Sequence, residues 1–347
     1  MNFLAADLGG TKTLLAIFKV ESSLNKIYEK KYISNNWNSF NSIISDFFKS
    51  IPKDIKHPSY GCIAVAGRVL NNRSKITNLN WEVNSEKLCD LTRIKKIELI
   101  NDFSVLIYGI KHLKEHQYEI IQGSFNNFEP SSNGLVAVLG AGTGLGVARG
   151  LINSKGIHIL PSEGGHREFS PRDKKEWELS QWLKNDLGLK RLSLERIVSG
   201  TGLGNIARWL LMQPQAKFHP LRQIAEDFHS HHSKKIDMAS IASQEAHKGD
   251  QLMLEALEMW LSAYGSAAGD IALQELCYSG LWIAGGTAQK HIGGLKSTTF
   301  LKALKEKGRF KNFLGKIPVI AITDPEIGLF SAGCRASLLP CEMGDLS

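Results

Sequence analysis

The chain opens on an abrupt alternation of apolar and glycine-rich residues. "LAADLGGTKTLLAIF", residues 4–18, is an apolar run, a turn through Gly9, Gly10 and Thr11, and a second apolar run. Ile17 and Phe18 give the second run the β-branched and aromatic character of a strand, which predicts a hairpin rather than a strand entering a helix. A polar segment, "ESSLNKIYEKKYIS", precedes "FNSIISDFFKSI", whose apolar residues recur at helical spacing, so the order β-β-β-α is expected. Two buried strands, "YGCIAVAGRV" and "IELINDF", and a helix over "SVLIYGIKHL" come next. Strands alternating with helices imply an α/β protein with a mainly parallel or mixed sheet.

The pattern then starts again. Beyond the polar stretch "GSFNNFEPSSNG", residues 135–150 read "LVAVLGAGTGLGVARG", with short apolar runs flanking Gly140, Gly142, Thr143 and Gly144. Two such hairpins, about 130 residues apart, predict a duplicated architecture with one copy per domain and with two glycine-rich turns facing each other across a cleft. The later chain is more helical, over "KEWELSQWLKNDLG" and over "QLMLEALEMWLSAYGSAAGDIALQEL". "GLWIAGGTAQK" brings a strand to Gly285, Gly286 and Thr287 before a helix, and "IPVIAITDPEIGLFSAGCRASLL" ends the pattern as strand, turn and helix.

Glycine-rich turns beside strands hold phosphates because absent side chains let backbone N–H groups converge on the anion. The spacing here fits neither G-x-G-x-x-G nor G-x-x-x-x-G-K-[ST], which disfavours a dinucleotide-binding unit and a P-loop NTPase. Taken alone, each hairpin is equally an ordinary one whose glycines supply positive φ. The turn at Gly285 and Gly286 is either a platform beneath a base or ribose or a tight strand-to-helix connection.

Composition narrows the picture further. At 347 residues, with 43% hydrophobic and 22% charged residues, two folded domains are expected. The net charge of +8 suits nucleic acid, an anionic membrane or a phosphorylated substrate, yet the basic residues are scattered. The densest cluster, residues 301–316, reads as a solvated helix face and loop. No helix-turn-helix pair precedes the first hairpin, which begins almost at Met1, so a DNA-binding domain is not expected there, and no apolar run approaches membrane-spanning length. Cys62, Cys89, Cys277, Cys334 and Cys341 are odd in number and form no C-x-x-C pair, so reduced thiols in a cytoplasmic protein without membrane or nucleic-acid partners are expected. "HSHHSKK", residues 229–235, has no Cys or carboxylate at ligand spacing and reads as a solvated loop.

The glycine-rich turns, in this order and with "LINDF" between the first two, resemble the sugar kinases of the hexokinase, Hsp70 and actin superfamily. "LPSEGGHREFSP", "LSLERIVSGTGL" and "LWIAGG" narrow the resemblance to the bacterial glucokinase family, over nearly the whole chain. Repressor-like sugar kinases share the opening turn and a related E-x-G-H element but add a Cys-rich zinc motif; residues 166–200 hold no cysteine. Departures fall at Lys12, where the family commonly has asparagine, and at Arg68, where proline is common, so nucleotide contacts there are expected to differ in detail.

The resemblance implies a two-lobed actin-like ATPase fold of duplicated ribonuclease H-like halves. Residues 1–113 with 325–347 would form a small domain and residues 114–324 a large one. It implies ATP-dependent phosphorylation of D-glucose to glucose 6-phosphate, the first step of glycolysis, by a homodimer. Asp102 would be the general base; its local alternative, an N-cap of the following helix, is compatible with that role. Asn78, Asn101, Glu163, His166 and Glu195 would bind the sugar, with Trp81 in the loop that closes over the ring or in the core. Gly9, Gly10, Thr11, Gly140, Gly142, Thr143, Gly144, Gly285 and Gly286 would hold ATP, and Asp7 would face Mg2+ through water. The alternatives are a kinase for another hexose or an N-acyl amino sugar, a non-catalytic sugar sensor of the same fold, and an actin-like or chaperone ATPase, against which "EGGH" argues.

Overall fold

The computed structural model describes residues 1–76, 79–124, 134–154, 156–229 and 236–345. The chain divides into two compact units, Met1–Gln117 with Asp324–Ser347, and Tyr118–Thr323.

In the first unit, β1 (Asn2–Leu8), β2 (Lys12–Val20) and β3 (Leu24–Ile33) form an antiparallel meander, followed by α1 (Phe40–Ser50). This is the order that the apolar pattern predicts. Next come β4 (Tyr60–Val65), β5 (Val69–Leu70), β6 (Arg73–Ile76), β7 (Trp81–Asn84), α2 (Ser85–Thr92), β8 (Lys96–Asn101) and α3 (Leu106–Ile110). The main sheet runs β3-β2-β1-β4-β8, with β1, β4 and β8 parallel; β5-β6-β7 form a small separate sheet. Because β1 and β4 are covered on both faces, they read as continuous apolar runs rather than alternating ones. α1 starts where the Ser39 hydroxyl accepts from the Ser42 amide, and it packs Ile43, Ile44 and Phe47 into the core below β1 and β2.

The second unit repeats the plan. β9 (Tyr118–Gln122) precedes the meander β10 (Leu135–Ala141), β11 (Leu145–Asn153) and β12 (Gly156–Leu160). Helices α4 (Lys174–Asp186), α5 (Gly200–Leu211), α6 (Arg222–Glu226), α7 (Met238–His247) and α8 (Gln251–Glu275) lead to β13 (Leu281–Ala284). Short α9 (Gly286–Lys290), α10 (Ile292–Leu295), α11 (Thr298–Lys305) and α12 (Lys311–Leu314) precede β14 (Val319–Ile322). The sheet order is β12-β11-β10-β13-β14-β9, with β10, β13 and β14 parallel. A meander followed by two parallel strands occurs in both sheets, the duplication that the two hairpins predict. α13 (Ile327–Glu342) closes the chain in the first unit, where Arg335 bonds Glu98 and Glu342.

α8 is the apolar spine of the second unit. Asp250 caps it, and Trp260, Tyr264 and Ala268 are fully buried among residues of β10, α5 and α11. The helix expected over 104–113 contracts to five residues of α3, because the Asn101 and Asp102 side chains hold a turn ahead of it. Residues 301–316 fall on α11, α12 and the loop between them. Among the described residues, no helix is long and apolar enough to cross a membrane.

Candidate active site

In the first unit the parallel strands carry the chemistry to their carboxyl ends, where ligands of open α/β sheets bind. Asp7 pairs with Ala64 of β4, and Val65 pairs with Asn101 of β8. Asp7 and Asp102 therefore sit at the same edge, two strand spacings or about 10 Å apart across the sheet. The Ala66 amide donates to Leu8 O and the Asp102 amide to Val65 O, tying the three strand ends together.

The Asp102 carboxylate accepts from the Phe103 amide at 3.1 Å and from Asn101 Nδ2 at 3.0 Å. Asp102 is not the expected N-cap, since α3 starts at Leu106 behind Val105 without a side-chain cap; the turn ahead of the helix is held by Asn101, whose Oδ1 takes the amides of Phe103 and Ser104 at 3.1 and 3.2 Å. Asn101 Nδ2 also donates to Gly67 O at 3.3 Å. An asparagine amide offers two acceptor sites and two donors, so Asn101 is fully engaged in holding the turn and its neighbour's carboxylate.

Gly9, Gly10 and Thr11 join β1 to β2. The Gly9 amide donates to Lys12 O, Ser34 Oγ donates to Gly9 O, and the Ser34 amide donates to Thr11 O. Burial pushes the Asp7 carboxyl up from its usual range, while the Lys12 ammonium pulls it down. Gly328, near the start of α13, leaves the space Asp7 occupies; a Cβ there would lie 2.9 Å from Asp7 Oδ2. A folded-state pKa above the unfolded one favours folding only at low pH, and that benefit is lost as pH rises through the folded value. Asp7→Asn is therefore expected to raise the melting temperature of the ligand-free protein at neutral pH. Thermal melts of the ligand-free protein across pH check this, the gain being expected to disappear at acid pH, where the Asp7 carboxyl is protonated in both states. Arg68 is exposed, and Trp81 is a buried core residue of β7. Asn78 lies outside the described residues, as do residues 230–235 of the histidine-rich segment.

In the second unit the turn 140–144 joins β10 to β11, with Gly140 opposite Gly146. Neither Gly9, Gly142 nor Gly144 adopts a left-handed φ, so positive φ is not what glycine supplies in these hairpins. At Gly142 a Cβ would meet nothing within 4 Å, its amide donates to Gly144 O at 2.9 Å, and Gly142 and Thr143 line open space. That space is a cavity of about 1150 Å³ whose wall includes Gly142, Thr143, Thr201, Gly286, Thr287 and Lys290.

Thr287 Oγ1 donates to Gly142 O, and the Gly200 amide donates to the same oxygen at 2.7 Å. Gly285, at φ +91°, presses on Ala141, where a Cβ would lie 2.5 Å from the carbonyl oxygen. Ser199 caps α5 by accepting from the Gly202 amide, so the positive end of that helix abuts the turn. Ile236 and Met238 offer apolar surface farther along the cavity, and Gln244 and His247 offer polar groups.

The "EGGH" element forms a single 3-10 turn, with Glu163 and His166 both exposed at its ends. Its glycines do not provide an unusual bend. Gly165 instead presses on β11, where a Cβ would fall 1.9 Å from Leu145 O, and Gly164 lies against Val147. The Leu194 amide donates to Arg167 O, bringing the Glu195 turn beside the "EGGH" turn, and Glu195 Oε2 accepts from the Leu145 amide at 3.0 Å. The turn that carries Glu163 and His166, through Gly165, and the Glu195 carboxylate thus both meet Leu145, immediately after the glycine-rich turn. Leu145, Ser199, Thr201 and Thr287 carry no chemical signal of their own in the sequence. "LERIVSGTGL" holds two of them, and a hydroxyl-rich helix start is the one feature that points there.

The chain matches the family model for glucokinase over residues 4–338. It is 35% identical to a glucokinase of Synechocystis sp. over 97% of this chain and 98% of that one, and 31% identical to a glucokinase of Erwinia tasmaniensis over 96% of each. Among solved structures, a glucokinase from an Antarctic psychrotroph superposes with a TM-score of 0.79 at 24% identity, covering 97% of this chain and 98% of that one. A glucokinase from Balamuthia mandrillaris, solved with glucose, gives 0.77 at 21% identity over 97% and 93%. A ROK-family glucokinase from Streptomyces griseus, solved with glucose and AMPPNP, gives 0.63 at 16% over 97% and 99%. With the duplicated sheets of the actin-like ATPase fold and the sequence match spanning both units, the chain belongs to the glucokinase family.

Proposed function

We propose that the protein transfers the γ-phosphoryl group of ATP to the 6-hydroxyl of D-glucose, giving glucose 6-phosphate and ADP as the entry step of glycolysis. The observation that supports this reading is that the "EGGH" turn, through Gly165, and the Glu195 carboxylate both reach Leu145, the residue that follows the cavity-lining turn 140–144. A polyhydroxylated acceptor and a polyphosphate donor require adjacent sites of these two kinds.

Asp102 takes the hydroxyl proton as the oxygen attacks, and Asn101 holds that carboxylate in place. Its Nδ2 contact to Gly67 O, at 3.3 Å, is the bond a sugar hydroxyl would replace. Asn78 is assigned to the sugar as well, with Glu163, His166 and Glu195 taking the remaining hydroxyls. The loose transition state of phosphoryl transfer leaves little covalent work for the protein, so positioning and charge stabilisation dominate. The turns formed by Gly9, Gly10 and Thr11 and by Gly140, Gly142, Thr143 and Gly144 are assigned to the β- and γ-phosphoryl oxygens, with Lys290 adding positive charge at the cavity wall.

Gly285 and Gly286 lie beneath the ribose, and the apolar surface of Ile236 and Met238 receives the base. Asp7 fits a hydrated magnesium ion: it is a single carboxylate at a strand end beside backbone amides, with room kept by Gly328. Magnesium, when bound, neutralises charge on the phosphoryl oxygens. The enzyme is taken to work as a homodimer in the cytoplasm, with scattered basic residues and an odd cysteine count in keeping with small-molecule substrates and reduced thiols.

ADP release measured with glucose, mannose, fructose and N-acetylmannosamine tests the reading. The highest kcat/KM is expected with glucose. A preference for N-acetylmannosamine would move the enzyme to amino sugars, and sugar binding without any ADP would make it a sensor.

A further inference from the structure

Glu195 is held at both ends. Its backbone carbonyl accepts from Ser199 Oγ at 2.6 Å, and its carboxylate accepts from the Leu145 amide at 3.0 Å. The segment that begins at Glu195 is then stitched to the glycine-rich turn twice more. The Gly200 amide donates to Gly142 O at 2.7 Å, and Thr201 Oγ1 donates to Thr143 O at 2.9 Å. Trp260, fully buried on α8, fixes the middle of the segment by donating from Nε1 to Ser199 O at 3.0 Å.

Residue 144 shows how tight this seam is. Its backbone is not left-handed, so φ does not require glycine, yet a Cβ there would lie 2.5 Å from Glu195 Oε2 and 3.2 Å from Cδ. Gly142 and Gly144, in one turn, therefore have different reasons to lack a side chain. Gly142 faces open cavity, while Gly144 makes room for a carboxylate.

We propose that Glu195 and Gly144 form a coupling element between the sugar and phosphate sites. The Glu195 carboxylate positions the phosphate-binding turn through Leu145, and any shift that a sugar imposes on that carboxylate is passed to residues 142–144. This inference rests on the assignment of Glu195 to the sugar. Its consequence is reciprocal linkage, with glucose tightening nucleotide binding and nucleotide tightening glucose binding by the same factor. The displaced atoms belong to one carboxylate and one backbone turn, so no new contact between sugar and nucleotide is needed.

The experiment is a set of equilibrium titrations, read by calorimetry, on the full chain and on Gly144→Ala and Glu195→Gln. Glucose is titrated with and without AMPPNP, and AMPPNP with and without glucose. In the parent protein each ligand is expected to tighten the other by about 5–10-fold, the lower part of the usual allosteric range. Gly144→Ala should weaken glucose binding by about 10-fold in the absence of nucleotide, although residue 144 lies in the phosphate turn, and should bring the coupling factor close to one.

Glu195→Gln keeps an acceptor for the Leu145 amide but loses its charge, and should weaken AMPPNP binding by about 3-fold in the absence of sugar. A residue that only touched sugar would leave sugar-free AMPPNP affinity where it was. Parent-like glucose affinity in Gly144→Ala, or parent-like AMPPNP affinity in Glu195→Gln, would overturn the proposal. Failure of the parent protein to bind glucose at all would instead overturn the assignment on which it rests. Glu195→Gln introduces no atom into the seam, so it carries the test even where Gly144→Ala folds poorly.

Discussion

Replacing Asp102 by asparagine is expected to lower kcat by ~10²–10⁴-fold, the range for loss of a general base, while glucose affinity stays within a few-fold of the parent. The two side chains are nearly isosteric. The carboxamide oxygen of the Asp102→Asn variant can still accept from the Phe103 amide and from Asn101 Nδ2, the bonds that Asp102 Oδ1 makes. The turn ahead of α3 should survive, because Asn101 and not residue 102 takes the Ser104 amide. What disappears is an oxygen basic enough to take the hydroxyl proton. Glucose binding by calorimetry and turnover by ADP release separate the two effects; undiminished turnover would remove Asp102 from the mechanism.

Alanine at Gly285 and at Gly286 should act in opposite ways, although the two residues are neighbours. Gly285 has φ +91°, and its Cβ would stand 2.5 Å from Ala141 O and 2.7 Å from Ala141 C, both backbone atoms that cannot rotate away. Positive φ and overpacking each cost about 1–3 kcal/mol, so Gly285→Ala is expected to lose on the order of 3 kcal/mol. For a unit of this size that is a fall in melting temperature of roughly 6–12 °C. Gly286 meets nothing within 4 Å and lines the cavity at the start of α9. Gly286→Ala should leave the melting temperature unchanged and raise KM for ATP, because its methyl group enters the space assigned to the nucleotide. Thermal melts and ATP kinetics on the two variants would show whether this turn is a fold element, a ligand platform or, as the geometry divides it, one residue of each.

Much of the fold was legible because its signals are local. Apolar runs without alternation marked β1, β4, β10 and β13 as interior strands, and the glycine-rich interruptions marked the hairpin turns. The repeat of that device revealed the duplication, since each half must build its own sheet and core from its own pattern. The roles of the glycines were not legible. A glycine chosen for positive φ, one chosen so a carboxylate fits, and one chosen to leave a cavity open are the same letter, and only Gly285 among those in the three turns has the left-handed backbone.

The local alternatives at Asn101 and Asp102 divide in the same manner. Either residue can cap a turn, and adjacency in sequence does not say which oxygen meets the Ser104 amide. Nothing in "EGGH" itself says why Gly165 is glycine; the reason lies 20 residues away, at the carbonyl of Leu145.

By itself, then, the amino-acid order determined the α/β class, the doubled hairpins, the family and the residue types available for binding sugar and phosphate. These follow from periodicity and short motifs, which act over a few neighbouring residues. Tertiary structure alone decided that Glu195 braces the turn through Leu145, that Thr201 and Thr287 secure Thr143 and Gly142, and that Gly328 makes room for Asp7. Hydrogen bonds and close contacts between segments 50 to 320 residues apart depend on how strands and helices are brought together in space, and no spacing along the chain encodes a distance of 3 Å across it.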